Sequence, residues 1–335
     1  MSVDLVHLCQ MNVGGCRMST TLLGTKTVDQ IAFVVRDIEE ACENFAVLLG
    51  IPKPEWFLTG SHERSNVYYR GEPSNTQSKL VFIDTPSVQI ELMEINEEPS
   101  TMKDYLEERG EGIHHIAFVT DTISNRMKYL EENNYKLLQS GEFTSDNKGR
   151  YAYLDTENAC KTVIELLERE TPQPKNVKDL IAEPLFGSRT ITQIALVVEN
   201  IDSVAGHYSR ILDVDLPPKI KEGPKEITRV VYNGEDTRAD ATFMFFQTPT
   251  IEIELIQPGD EPSTWKEHLT KYGEGVHHIS FEVDDLESKL VELNAKGYNT
   301  VQEGNFWNGN GRYAYLDTKE DFKVMIELLE RYTNH

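Results

Sequence analysis

Four polar side chains interrupt apolar, strand-like runs in the first half of the chain. Gln30 lies in VDQIAFVV, Glu91 between Ile90 and Leu92, His115 before IAF, and Glu165 between Ile164 and Leu166. The second half carries Gln193, Glu254, His278 and Glu327 at matching positions. A carboxylate buried in a strand is costly unless it is paired or bound to a cation. One amide oxygen, two carboxylates and one imidazole form an oxygen-rich ligand set. Two Glu neutralise a divalent ion and leave positions for water or substrate oxygens. Zinc, nickel, cobalt, manganese and magnesium all suit such ligands. Taken singly, a Glu ending a strand is a solvated edge residue and a strand His a satisfied core group. Recurrence of the whole set in two halves is what points to a metal. Because side chains alternate along a strand, Gln30 shares a face with Ala32 and Val34, and His115 with Ala117 and Val119. His114 and His277 fall on the opposite face and read as structural neighbours.

The elements that must position these residues are written twice. GEGIHHIAF at 110–118 returns as GEGVHHISF at 273–281, and GRYAYLDT at 149–156 returns at 311–318. VIELLER at 163–169 returns as MIELLER at 325–331, and EPSTMK at 98–103 as EPSTWK at 261–266. Such a repeat implies two homologous domains, near 27–170 and 189–332, after a tail at 1–26 and around a Pro-containing linker at 171–188. Each domain also repeats within itself: DQIAFVVRDIEEA resembles HHIAFVTDTISNR, and QIELME resembles VIELLE. The smaller module begins with a buried strand. Asp37 is placed to N-cap a helix whose apolar stripe runs Ile38, Ala41, Cys42, Phe45, Leu48, Leu49, with Gly50 as its C-cap. NVYYRG, KLVFID and VQIELMEI then read as strands. The module is βαβββ, the fold class α+β, with two modules per domain.

Composition limits the function classes. The chain has 335 residues, 33 basic against 56 acidic, and a net charge of −23. That balance argues against nucleic acid and against an anionic membrane surface, since both need clustered cations. No run approaches the length of a membrane span. Cys9, Cys16, Cys42 and Cys160 form no C-x-x-C pair and read as reduced thiols of a cytoplasmic protein. Arg150 and Arg312, before the repeated YAYLDT strands, are candidates to clamp an anionic part of a substrate. Arg70 and Lys79 are weaker candidates, because Asn233 and Thr242 replace them in the second half. Tyr151, Tyr153, Tyr313 and Tyr315 read as core or pocket wall.

On these motifs the chain resembles the vicinal-oxygen-chelate superfamily, which includes glyoxalase I, methylmalonyl-CoA epimerase, extradiol dioxygenases and drug-resistance proteins. GEGIHHIAFVTD with the following IELLE is particularly similar to the epimerases. The Gln, Glu, His, Glu set is similar to that of one glyoxalase I type. The resemblance implies paired βαβββ modules curled around a metal held by Gln30, Glu91, His115 and Glu165, and by Gln193, Glu254, His278 and Glu327. It implies a lyase or isomerase that removes a proton beside a carbonyl or thioester through a metal-stabilised enolate, with Glu165 and Glu327 as ligand and base. The chain departs from both branches: Asp155-Thr156 and Asp317-Thr318 stand where epimerases tend to read HP, and the glyoxalase D-P-D-G loop is absent. The alternatives are a non-catalytic module that sequesters a small molecule, and a dioxygenase, which a single His per site disfavours. Two arrangements remain open: sites within one domain, or sites joining Gln30 and Glu91 to His278 and Glu327. A monomer with pseudo-dimeric domains and a homodimer are both compatible with the sequence.

Overall fold

The computed structural model describes residues 21–143, 148–171 and 175–332. Each half of the chain forms one ten-stranded sheet. The order in the first is 57–58, 78–84, 89–95, 28–34, 112–119, 163–169, 149–154, 137–142, 68–69 and 72–73. Two modules therefore lie side by side, joined by their antiparallel first strands, Val28–Val34 and Gly112–Val119. Within each module the first strand runs parallel to the last, which requires a crossover. The helices Ile38–Leu49 and Ile123–Glu132 begin those crossovers. The second half repeats the order.

The NVYYRG strand departs from expectation. It shortens to Tyr68–Tyr69, leaves its own module and pairs with the far edge strand, Tyr68 opposite Ser140. Arg70 and Gly71, both at positive φ, turn it back onto Glu72–Pro73. Local pattern identifies such a strand but cannot name its partner.

The first helix forms as its sequence dictates. The Asp37 carboxylate accepts from the N–H groups of Glu39 and Glu40, and Gly50 closes the helix in the left-handed region at φ 65°. A side chain at Gly50 would also collide with the Ala182 carbonyl. That carbonyl belongs to the connecting segment, whose Ile181 N–H donates to the Gly50 carbonyl at 2.8 Å. The connection is thus docked on the first domain, and its Leu185 and Phe186 are buried. Of the expected tail, residues 1–20, with Cys9 and Cys16, lie outside the described residues, while Leu23 is fully buried. Cys42 and Cys160 are buried free thiols. Among the described residues no helix is long and apolar enough to cross a membrane.

The two halves meet helix face to helix face. Phe45 packs edge-on to Phe322 at 6.0 Å, and Phe186 touches both Phe281 and Phe322. Reciprocal ion pairs, Lys161–Glu274 at 2.7 Å and Lys323–Glu111 at 3.5 Å, join equivalent positions in opposite directions, as a pseudo-two-fold axis requires. His268 is buried near the same junction, its ring 5.2 Å from that of His277.

Phe186→Ala should cost about 3–5 kcal/mol of unfolding free energy in urea, because it empties the buried site where the connection packs on Phe281, Tyr298 and Phe322 of the second domain. Burial, reinforced by the charges of Lys319 and Arg109, pushes the His268 imidazole down from 6.5 to about 3. Between those values the unfolded chain binds the extra proton, so stability falls as pH is lowered through the window. Urea titrations at several pH values should show His268→Tyr losing part of that slope, up to about 1.4 kcal/mol per pH unit.

Candidate metal centres

Strand register assembles each centre. In the first sheet Ala32 lies opposite both Glu91 and His115, so Glu91, Ala32 and His115 form one row across three strands. The adjacent row on the same face reads Gln89, Gln30, Ala117, Glu165. Donors therefore alternate with two alanines, whose small side chains leave the middle of the patch open. The second sheet gives Glu254, Ala195, His278 in one row and Glu252, Gln193, Ser280, Glu327 in the next.

The side chains converge as the register demands. His115 Nε2 lies 3.1 Å from a Glu165 oxygen and 3.4 Å from a Glu91 oxygen. His278 Nε2 lies 3.2 Å from Glu327 and 3.5 Å from Glu254. All six side chains are buried, and the three ligand atoms of each triad lie within 4.8 Å of one another. Each triad is built within one domain; the cross-domain combination does not occur. Gln30 ties its amide N–H to Gln89, which in turn donates to Asp84 at 2.7 Å. That leaves the Gln30 carbonyl oxygen buried without a partner, together with His115 Nε2 and Glu165 Oε2. In the second domain His278 Nε2 is likewise unpartnered, and Gln193 donates to Glu252. Buried polar atoms are normally satisfied. These donors, aimed at one another's vicinity with none bonded, fit a divalent cation.

Electrostatics separates the two centres. Burial disfavours the His115 cation, but the Glu165 and Glu91 carboxylates outweigh it and raise the imidazole to about 9; His278 behaves alike with Glu327 and Glu254. Glu165 is pushed up by burial, offset in part by His115. Burial would raise Glu327 too, yet it ends lowered, because His278 and the Ser280 hydroxyl favour its charge. Ser280 donates to Glu327 at 2.6 Å, and Ala117 offers no counterpart. Of the two triad carboxyls in that domain, Glu254 is the one pushed up, to about 7, by burial.

A pocket opens over each centre, of about 330 Å³ in the first domain and about 390 Å³ in the second. Phe57, Phe82, Met93 and Met102 line the first; Phe243, Trp265, Phe306 and Trp307 line the second. Tyr151, Tyr153, Tyr313 and Tyr315 are pocket wall, as expected. Arg150 and Arg312 do not line either pocket. Arg150 pairs with Glu168 at 2.7 Å and Arg312 with Glu330 at 2.7 Å. Arg150 stands opposite Glu168 and Arg312 opposite Glu330, so each pair shares the other face of its sheet. Arg169 and Arg331, one residue further along, line the pockets instead. Arg70 pairs with Asp104 and Lys79 with Glu94. Sequence reasoning also missed Gln89, Glu252 and Ser280. Their signal was available, since they share alternating faces with Glu91, Glu254 and His278.

His114 and His277 do not take the opposite face that strict alternation predicts: a one-residue bulge before His115 and before His278 brings their rings beside the triad imidazoles and within 5.6 Å and 5.4 Å of Tyr153 and Tyr315. His114 Nδ1 lies 2.9 Å from His115 Nδ1, and His277 Nδ1 2.8 Å from His278 Nδ1. If His115 Nε2 is to offer a lone pair to a cation, its Nδ1 must carry the proton and donate to His114. The neighbour thereby fixes tautomer and ring orientation. His114→Ala should weaken divalent-metal affinity by roughly 10–100-fold at the first centre, leaving the second unchanged, as read by metal titration.

Comparison with known proteins agrees with this architecture. The profile of the Glyoxalase/Bleomycin resistance protein/Dioxygenase superfamily matches residues 29–153 and 192–315. An uncharacterized protein of Bacillus subtilis, YqjC, is 31% identical over 87 residues, 26% of this chain. The match spans 62% of that protein's length. The mitochondrial methylmalonyl-CoA epimerase of Dictyostelium discoideum is 22% identical over 148 residues, covering 44% of this chain and 81% of the epimerase. A variant of 4-hydroxymandelate synthase from Streptomyces coelicolor superposes with a TM-score of 0.58 at 15% identity, over 92% of this chain and 94% of its own. At that identity the likeness is one of fold. Two repeated βαβββ pairs, each curled around a buried Glu-His-Glu patch, and a profile match to both repeats place this chain in the Glyoxalase/Bleomycin resistance protein/Dioxygenase superfamily.

Proposed function

We propose that each domain holds one divalent cation and removes a proton from a carbon beside a carbonyl or thioester, as a lyase or isomerase. One observation carries this reading: unpartnered, buried donors of Gln30, His115 and Glu165 meet Glu91 beneath an apolar pocket. Buried charges left uncompensated would destabilise the fold by several kcal/mol per ion. Gln30, Glu91, His115 and Glu165 would hold the cation in the first domain, and Gln193, Glu254, His278 and Glu327 in the second. The cation, when bound, supplies a Lewis acid for negative charge developing on the substrate oxygen.

The chain's own residues would do the rest. The aromatic and methionine walls exclude water and seat an apolar substrate body. Arg169, held by Asp29 at 3.1 Å, and Arg331, held by Glu282 at 2.7 Å, present cations to its polar end. A carboxyl with a raised pKa accepts the proton at neutral pH and returns it to the neighbouring position or face. By environment that is Glu165 in the first domain. In the second, Ser280 holds Glu327 as a charged ligand, and the proton-accepting role falls to Glu254.

A second reading is oxygen-dependent chemistry at iron, supported by the chain-long likeness of fold to 4-hydroxymandelate synthase. Iron oxygenases of the facial-triad type use two His and one carboxylate, whereas each triad here has one His and two Glu.

Elemental analysis of protein purified without chelator should give about two divalent ions per chain. His115→Ala and His278→Ala should each remove one, because each triad is intradomain. In D2O, an α-branched acyl thioester or a hemithioacetal should lose its α-proton signal. Glu165→Gln with Glu254→Gln should slow that exchange by roughly 10²–10⁴-fold. Bound metal without exchange of any such compound would leave a sequestering protein; oxygen uptake with iron would replace the proposal with the second reading.

A further inference from the structure

Between the two domains lies a third cavity, of about 390 Å³, lined by none of the triad residues. In a chain of net charge −23 this cleft gathers Arg109, Lys161, Lys271, Lys319 and Lys323. Four of these are matched by carboxylates: Arg109 by Glu157 at 2.7 Å, Lys161 by Glu274, Lys323 by Glu111, and Lys271 by Glu267. Glu108, the other acid of the cleft, is solvent-exposed. Lys319 is half-buried and, among the described residues, has no carboxylate within ion-pair distance; its ammonium sits 4.3 Å over the Tyr272 ring. Beside it His268, only 8% exposed, has a buried Nδ1 with no partner. The low pKa of His268 reports the positive field of Lys319 and Arg109 after burial itself, so at neutral pH the ring is an uncharged N–H donor.

The duplicated scaffold does not demand these residues. At the equivalent positions of the first domain stand Tyr105, Glu108 and Glu157, where the second domain has His268, Lys271 and Lys319. A half-buried ammonium without a carboxylate partner and a buried imidazole nitrogen without any partner face the same cleft. A buried nitrogen such as His268 Nδ1 is ordinarily satisfied by a partner, and the charge-assisted bonds that a lysine makes to carboxylate or phosphate are among the strong ones.

We propose that the interdomain cleft binds a small oxyanion, a carboxylate or phosphate group, between Lys319 and His268. Its volume accommodates a small anionic metabolite as well as a free ion. His114 and His277, which orient the metal-facing imidazoles, line the same cleft, so its occupant sits behind both centres.

The test uses the full chain, 15N-labelled, with the imidazole signal of His268 identified by its loss in His268→Tyr. Inorganic phosphate and malonate are titrated separately. A saturable movement of that signal is expected, with half-saturation raised at least tenfold in Lys319→Gln and unchanged in the remote Lys53→Gln. Lys271→Gln, on the exposed side of the cleft, should raise it severalfold and serves if the Lys319 variant does not fold. A response to phosphate alone or to malonate alone supports the site and names the class. A His268 signal unmoved by millimolar amounts of either, or a half-saturation indifferent to both lysine substitutions, overturns the proposal. Because the readout is His268 and not turnover, it stands apart from the fate of the metal centres.

Discussion

Burial of polar atoms without partners is the constraint on which the rest of this structure depends. In each domain an imidazole and two carboxylates occupy the middle of a sheet, away from water. Such an arrangement survives only if something compensates the buried charge. Without a cation, a protonated His between two Glu partly does so, and this is why the imidazoles are raised. The cost also explains the surrounding order. Gln30 is locked by Gln89, His115 by His114, and Glu327 by Ser280. Each lock removes one freedom from a donor.

The sheet makes that order possible. Pairing two modules through antiparallel first strands puts the first and last strands of both at the centre, with register fixed residue by residue. One face of these strands is apolar and packs under the helices, where Ile31, Phe33, Ile90, Ile116 and Ile164 are fully buried. A slip by one residue would exchange the two faces and push the triad into that core. The hydrophobic face thus fixes the polar one. The helix layers of the two domains then share a single core across the junction.

Duplication left the two halves alike in frame and different in detail. Ala117 against Ser280, Gln89 against Glu252, and Met102 against Trp265 change the charge state and the walls of otherwise matching centres. Such differences give two pockets in one chain the means to treat substrates unequally. At the junction, Lys271 and Lys319 stand where the first domain has Glu108 and Glu157, and of the two only Lys271 has a carboxylate partner among the described residues.

Much of this was legible in the sequence. The repeats fixed two domains of paired modules, because homologous segments must fold alike. Glu91, His115 and Glu165, with their second-domain equivalents, were legible because a polar residue amid Ile, Leu and Phe conflicts with its strand unless it has a task. Helix ends were legible at Asp37 and Gly50, whose side-chain chemistry acts within a few residues. Other features depended on facing and pairing, which separate distant segments decide. Arg150 looked like a clamp, but alternation turned it to Glu168 and turned Arg169 to the pocket. Tyr68–Tyr69 paired with a strand of the other module. Strict alternation put His114 on the face opposite His115, but a one-residue bulge between Ile113 and His115 brings its ring nitrogen to that of its neighbour. Whether each centre lay within or across domains was settled only by the sheet, since the sequence lists donors and register alone determines which of them meet.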